Sequence, residues 1–565
     1  MSDRPLDLIV IGGGITGAGI AWEAAMRGLS VVVLEKNDFA SGTSSKSSKL
    51  LHGGLRYLEQ AEIKLVFESL AQRNRLFEDA PHVAKRLDFL FPIFKGGRDK
   101  GPIIGTGLTG YDMLSWLSNR RATRWHDRLN KDAALRVEPH LKREGLVSAY
   151  RYMDGLTEDA RLVIETLKSA EAAGAMALNY VAVTALTKNA EGHIEGVEAE
   201  DTLTGKRFTL KAGCVFNATG PWADALLRMD DATTPRRLRP TKGVHILTEA
   251  FVSDHAVVMR STNPNEKSPR ILFVIPWGGR TMIGTTDTAH EGDPDDLSYL
   301  DDDVNASADE VQYLLDTVNQ SFDVKLTTND VISSFAGWRP LVAPPDPGKP
   351  ESAISREYEI FASPSGMLTI AGGKLTAYRT MSAHSVERVI EVLQRLAPQR
   401  TFAPGRIETS ALSGSELGGR SLEAYLQDAL TQSPELPASL VTVLVRRYGT
   451  NWPRLRALMA ADASLMRLIP GLDEDLAYYM VEVIYAVSEE GAVTVADVLS
   501  RRTRLHLLDT RQATQAADAV ATLMAAWLGQ AQGWSAAEQE TWAHAQATAY
   551  REGVEARRQA RNTAA

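Results

Sequence analysis

Apolar residues run unbroken from Leu6 to Ile11, give way to Gly12-Gly13-Gly14-Ile15-Thr16-Gly17, resume at helical spacing, and run together again from Leu29 to Leu34. Short continuous apolar runs mark strands buried on both faces, so this order predicts a strand, a tight turn, a helix and a second strand. Two later segments have the same character: Val215-Phe216-Asn217-Ala218-Thr219-Gly220 and Leu368-Thr369-Ile370-Ala371-Gly372-Gly373. Each is an apolar run closing on small residues, as needed where backbone passes close to a ligand. Together with Gly12 to Glu35 they predict one domain assembled from three separated stretches. Between them, Val244 to Leu247, Ile271 to Pro276 and Thr281 to Gly284, with a turn at Trp277-Gly278-Gly279, predict an antiparallel sheet. From about Thr401 the spacing becomes helical, with Leu476, Tyr479, Met480, Val483, Ile484 and Val487 on one face and Gly491 as a stop. The Ala- and Gln-rich tail after Gln530 is expected to fray beyond Glu555.

The glycine turn has a chemistry. Gly12 permits the turn, Gly14 lets backbone N–H groups approach a pyrophosphate at the helix start, and Gly17 lets the helix lie close to the sheet. Glu35, at the end of the second strand, is placed to accept hydrogen bonds from a ribose. The fingerprint does not separate NAD from FAD, and its position ahead of everything else leans toward FAD. The next unusual composition runs from Thr43 through Ser44, Ser45, Lys49, Leu50, His52 and Gly53 to Leu58. Its hydroxyls, lysines and glycines can surround a pyrophosphate and let backbone lie against a flat ring. A flexible polar linker has similar composition, but a linker would not continue into the apolar helical pattern of Leu55 to Leu65.

At 565 residues the chain is too long for one core, and its 44% apolar and 24% charged content is that of a globular protein. A net charge of −9 argues against nucleic acid as a partner. Cys214 is the single cysteine, which rules out an intramolecular disulfide, fits a reducing cytoplasm and reads as a buried strand residue. His52, His245 and His290 have no ligand spacing, so no metal is expected. The first five residues lack the basic run of a signal peptide, and the late apolar run Ala519 to Gly529 falls short of the roughly 20 residues that span a bilayer.

The fingerprint, the Thr43 to Leu58 segment, Asn217-Ala218-Thr219-Gly220-Pro221-Trp222, Phe273-Val274-Ile275-Pro276-Trp277, Gly284-Thr285-Thr286-Asp287 and Gly372-Gly373-Lys374-Leu375-Thr376 occur in that order. This series closely resembles the FAD-dependent glycerol-3-phosphate dehydrogenases from residue 7 to about 385, and the helical end looks like that family's last domain. The resemblance implies an α/β Rossmann-type FAD-binding domain of the glutathione-reductase type, an antiparallel-sheet substrate domain and an all-α C-terminal domain. The expected boundaries are 1–95, 145–235 and 355–398 for the first, 96–144 and 236–354 for the second, and 399–565 for the third. It further implies non-covalent FAD, held by the residues of the turn and loop together with Gly220, Gly373, Lys374 and Leu375.

The implied reaction is oxidation of sn-glycerol 3-phosphate to dihydroxyacetone phosphate, with quinone accepting the electrons. An oxidase using oxygen and a non-catalytic flavoprotein sensor or scaffold are the alternatives. A buried phosphate dianion needs several donors and more than one cation. Arg56, Tyr57, Arg356, Lys374 and Thr376 are expected to supply them. His245 is the expected base and Arg339 the cation at the developing alkoxide, roles that rest on the family correspondence. Pro102 to Arg128 sets Ile103, Ile104, Leu108, Met113, Trp116 and Leu117 beside Arg120, Arg121, Arg124 and Arg128. This suits either an interfacial membrane segment or a helix packed on its own domain with a solvated basic edge. A cytoplasmic protein, peripheral on the inner face of the membrane if the first reading holds, follows; whether it pairs as a homodimer is left open.

Overall fold

The computed structural model describes residues 5–59, 61–120, 122–252, 254–261, 270–290, 296–300, 304–343 and 357–563. The three apolar stretches do meet in one sheet. Its strands run in the order Tyr358–Ala362, Leu368–Gly372, Arg207–Asn217, Leu6–Ile11, Val31–Leu34 and Met176–Leu178. Leu6–Ile11 is parallel to both neighbours, with Ile11 opposite Asn217 on one side and Leu34 on the other. That register brings the turn after Ile11, the segment after Asn217 and the end of Val31–Leu34 to the same edge, where a parallel sheet presents ligand-binding loops. The helix Ile15–Met26 is buried along most of its length between the sheet and the helices Asp159–Ala172 and Tyr378–Leu396, which explains its lack of a polar face.

Among the described residues the second sheet has ten strands, including Thr241–Glu249, Arg280–Gly284, Ile271–Trp277 and Ser333–Arg339 in antiparallel pairings. One pairing is parallel, that of His255–Arg260 with Ala84–Phe94. Ala84–Phe94 also pairs along its length with Leu146–Thr157, and both lie in this second sheet. The expected boundaries assign these two strands to the nucleotide unit. Local pattern identifies a strand; the sheet it joins depends on partners remote in sequence.

The C-terminal region is helical, with long elements Ala438–Tyr448, Met480–Glu489, Thr510–Gln532 and Ala536–Thr563. Gly491, at φ +64, follows the third turn of Met480–Glu489. Val483, Leu499, Leu505 and Met524 share one buried apolar cluster with Leu247, Ile275 and Met282 of the ten-stranded sheet, so this region is bound to the sheet by a common core. The expected fraying past Glu555 is not found. Ala-, Gln-, Glu- and Arg-rich sequence is a strong helix former, and Ala543, Ala547 and Tyr550 are buried in the same cluster. The apolar pattern from Leu55 to Leu65 splits into two helices, Leu55–Glu59 and Ile63–Asp79, around Ala61 at φ +59. Cys214 is buried in its strand, and burial pushes its thiol up to about 12, leaving it unreactive at neutral pH.

Candidate active site

A cleft of about 1910 Å³, part of it open to solvent, lies between the two sheets. One wall is the glycine turn. Gly12 has φ +110, and a Cβ there would stand 2.6 Å from the carbonyl oxygen of Ala218. At Gly17 a Cβ would stand 1.9 Å from the oxygen of Gly12, so only glycine lets the helix start against the turn. No side chain caps the helix at Gly14, and the Ile15 N–H is held by Ser44 Oγ at 3.0 Å. The carboxylate of Glu35 accepts from the N–H groups of Gly13 (2.7 Å) and Asn37 (2.9 Å). Burial pushes its pKa up while these two donors oppose the shift. Each oxygen retains a lone pair for a further donor.

Gly12, Gly14, Glu35, Thr43, Ser44, Gly220, Gly373, Lys374, Leu375, His245 and Arg339 all line this cleft. A helix start with glycine at its cap position, an acid at the end of the second strand and backbone brought close by glycine are what an adenine dinucleotide requires. FAD therefore fits the residues present. Gly17 supports the wall from behind.

Other expected residues are placed differently. Ser45, Lys49, Leu50, His52 and Gly53 are not among the lining residues. Lys49 turns inward, fully buried, with its ammonium 3.0 Å from Asp159. Leu50 is in the second sheet, opposite Leu156, and His52 meets the edge of Phe273 at 6.1 Å. Gly53 donates its N–H to Tyr111 Oη at 2.8 Å. Its carbonyl accepts from Lys374 Nζ at 3.0 Å, and that ammonium sits 3.9 Å from the centre of the Tyr57 ring. Lys374 and Tyr57 are thus brought together, with Thr376 buried two residues further on. Arg56 lies in the helix Leu55–Glu59, its side chain outside the described residues, as is the whole of Arg356.

The opposite wall is made by side chains of the ten-stranded sheet. His245 is 2% exposed, stacked on Phe335 at 4.8 Å, with Nε2 2.9 Å from Ser48 Oγ. Burial, then the cations of Arg339 and Lys49, push its pKa well below the usual imidazole value, so the ring is neutral. Arg339 ends its strand with a guanidinium laid across Gly243, where a Cβ would stand 2.2 Å from Nη2. It donates to Thr285 Oγ1 (2.8 Å), the carbonyl of Thr286 (2.9 Å) and Asp287 (3.1 Å). Ser48, Lys46 and Trp222 also line the cleft, the last under the Lys36 ammonium at 4.8 Å. Ser48 belongs to the serine-rich run already noted, but nothing local distinguishes it from its neighbours.

Among known proteins, residues 7–379 match the family model of FAD dependent oxidoreductases, and residues 408–539 match the C-terminal domain of alpha-glycerophosphate oxidase. The aerobic glycerol-3-phosphate dehydrogenase of Staphylococcus haemolyticus is 36% identical over 94% of this chain and 92% of its own length. The chain belongs to the family of FAD-dependent glycerol-3-phosphate dehydrogenases. The relative from Bacillus subtilis is also 36% identical, over 93% of this chain and 91% of its own. The solved glycerol-3-phosphate dehydrogenase of Bacillus halodurans, complexed with FAD, superposes with a TM-score of 0.74 at 31% identity, covering 99% of this chain and 95% of that one. The two family matches of this dehydrogenase together span both sheets and most of the helical end.

Proposed function

We propose that this chain oxidises sn-glycerol 3-phosphate to dihydroxyacetone phosphate and that a quinone at a membrane surface takes the electrons onward. The observation that carries the reading is a neutral, buried imidazole and a fixed guanidinium facing a dinucleotide turn across one cleft. Bound FAD supplies a two-electron acceptor for the hydride that leaves C2. His245 accepts the hydroxyl proton as the C2–H bond breaks, which leaves a ketone. A protonated ring could not do this, so the burial and cations that keep His245 neutral suit a base. The arriving phosphate dianion offsets those cations and raises the basicity of the ring. Arg339 stabilises the charge developing on the C2 oxygen. Lys374, braced on Tyr57, is one cation for the phosphate, with Thr376, Arg56 and Arg356 as its partners.

Support for the membrane surface comes from the helix Gly101–Ser118 and its neighbour Ile63–Asp79. Ile103, Met113 and Leu117 are 67%, 51% and 59% exposed, and Ile63 and Trp125 are 54% and 50% exposed. Arg120 sits 4.3 Å over the Trp116 ring beside them. Exposed apolar side chains next to arginines suit the headgroup boundary of an anionic bilayer. No helix among the described residues is long and apolar enough to cross a membrane.

Anaerobic addition of glycerol 3-phosphate to the FAD-loaded protein should bleach the flavin band within seconds. An unchanged spectrum would refute the activity. Stoichiometric peroxide under air with no reduction of a soluble quinone would instead assign the electrons to oxygen. Co-sedimentation with anionic vesicles at low salt, lost in Leu117→Glu, checks the membrane surface.

A further inference from the structure

Asp159 is the first residue of the helix Asp159–Ala172 and is completely buried. Its carboxylate receives the Ser47 N–H (3.2 Å), the Ser47 hydroxyl (2.8 Å) and the Lys49 ammonium (3.0 Å). The residues on both sides of Ser48 are therefore tied to one carboxylate, and Ser48 itself is the residue whose hydroxyl meets His245 Nε2 at 2.9 Å. A fourth group reaches the same point from the other end of the chain. Arg504 Nη2 lies 3.0 Å from Asp159 Oδ1 and donates to the Ser45 carbonyl at 3.1 Å. The ring of Trp277 stands behind both cations, 4.7 Å from Lys49 Nζ and 5.5 Å from Arg504 Cζ.

The backbone at this cluster is unusual. Lys49 has φ +57 and Arg504 has φ +65, two of the five positive-φ residues other than glycine among the described residues. Such conformations are disfavoured for residues with a Cβ and persist where surrounding contacts over-determine them. Both are held by the same carboxylate. Burial, then the neighbouring Arg504, lowers the Lys49 ammonium to about 8, with Asp159 opposing, so the cluster is closely balanced.

We infer that Arg504, supplied by the helical C-terminal region, and Asp159 are positioning residues that fix the Ser45–Lys49 segment and so place the Ser48 hydroxyl on His245. The C-terminal region then completes the reacting side of the cleft without touching substrate. The inference rests on the proposed oxidation in its kinetic consequence and on the geometry of the cluster alone in its structural one.

The test compares wild type, Ser48→Ala, Arg504→Ala, Arg504→Lys and the Ser48→Ala/Arg504→Ala double variant, all as FAD-loaded protein. Misplacement by about 1 Å far from the chemistry can cost about 100-fold in rate, so Arg504→Ala should slow the limiting rate of anaerobic flavin reduction by about 10- to 100-fold. Half-saturation by glycerol 3-phosphate should move far less, because the phosphate site is untouched. Both contacts of Arg504 come from Nη2, so Arg504→Lys keeps a cation toward Asp159 on a shorter side chain and should recover part of the loss. If Arg504 acts through Ser48, the double variant is no slower than the slower single variant. A crystal structure of Arg504→Ala should show Ser48 Oγ beyond hydrogen-bond distance, about 3.5 Å, from His245 Nε2. Should Arg504→Ala not fold, Arg504→Lys carries the same measurements, its partial loss vanishing in the Ser48→Ala background. A wild-type rate, an additive double variant or an intact Ser48–His245 bond would overturn the inference. Wild-type flavin that stays oxidised with substrate would overturn the proposed activity instead, and the crystallographic distance would still decide the placement.

Discussion

The two walls of the cleft are built by different means. On the nucleotide side the contacts are largely backbone, with Glu35 and Ser44 as polar side chains, and close approach depends on the missing side chains of Gly12 and Gly17. On the facing side the working groups are His245 and Arg339, held in place by other side chains: Phe335, Ser48, Thr285 and Asp287. The first wall is set by sterics, at Gly17 against the neighbouring Gly12 and at Gly12 against Ala218 of the adjoining strand's end. The second depends on charges and hydroxyls brought from 52 to 197 residues away. The difference predicts that the two walls fail differently, the first in holding the cofactor and the second in rate or in response to pH.

The largest effect belongs to the backbone wall. In Gly17→Ala the new Cβ meets the Gly12 carbonyl, which cannot rotate away as a side chain would. Overpacking typically costs about 1–3 kcal/mol where neighbours can give, so here the cost lies at or above that range and the turn must open. Purified Gly17→Ala should carry no flavin by its visible spectrum. Retention of a full complement of FAD would show that the wall is more plastic than its geometry implies. Next comes His245→Asn, which keeps a polar group of similar reach but removes the base. Flavin reduction should slow by about 10²- to 10⁴-fold while FAD content and substrate half-saturation stay near wild type. A loss of binding in place of rate would assign His245 to the phosphate and break the division between walls.

The same difference governs what could be read from the chain alone. Gly12, Gly17 and Glu35 were readable because each answers a local requirement: a turn, a close approach, an acid at the end of the next strand. The meeting of Leu6–Ile11, Arg207–Asn217 and Leu368–Gly372 in one sheet was readable too, since each run carries the apolar-then-glycine signature. Asp159 was not. A first-turn acid on a helix is ordinary, and the cations that give it meaning are 110 residues before it and in the C-terminal region. Lys49 looked like a cofactor ligand by its neighbours, yet its positive φ turns the side chain away from the cleft and into the core. Ala84–Phe94 and Leu146–Thr157 were placed with the nucleotide unit by sequence position alone, whereas their pairing with each other sets them in the second sheet.

The smallest effect sharpens the comparison at a point where the chain beside the backbone wall relies on distant charge. Asp38 follows Glu35 and Asn37 in sequence and receives both nitrogens of the Arg502 fork, at 2.6 and 2.8 Å, with Arg501 as a third donor. Burial alone would raise its carboxyl. Arg502 and Arg501 override burial and hold it at about 2, below its ordinary 3.8. A carboxyl depressed on folding contributes stability that is fully present above the unfolded value and lost as pH falls through the folded one. The contribution is about 2 kcal/mol, by about 1.4 kcal/mol per unit of pKa, present above pH 3.8 and gone below pH 2. Denaturant unfolding of wild type should therefore weaken by about that amount between pH 4 and pH 2 relative to Asp38→Asn, which has no proton to gain. Because both arginines belong to the C-terminal region, loss of its near-ultraviolet signal should precede release of FAD in the acid titration. Simultaneous loss of the two would mean that the backbone wall leans on the distant charges as heavily as the side-chain wall does, and that the two walls form one cooperative unit.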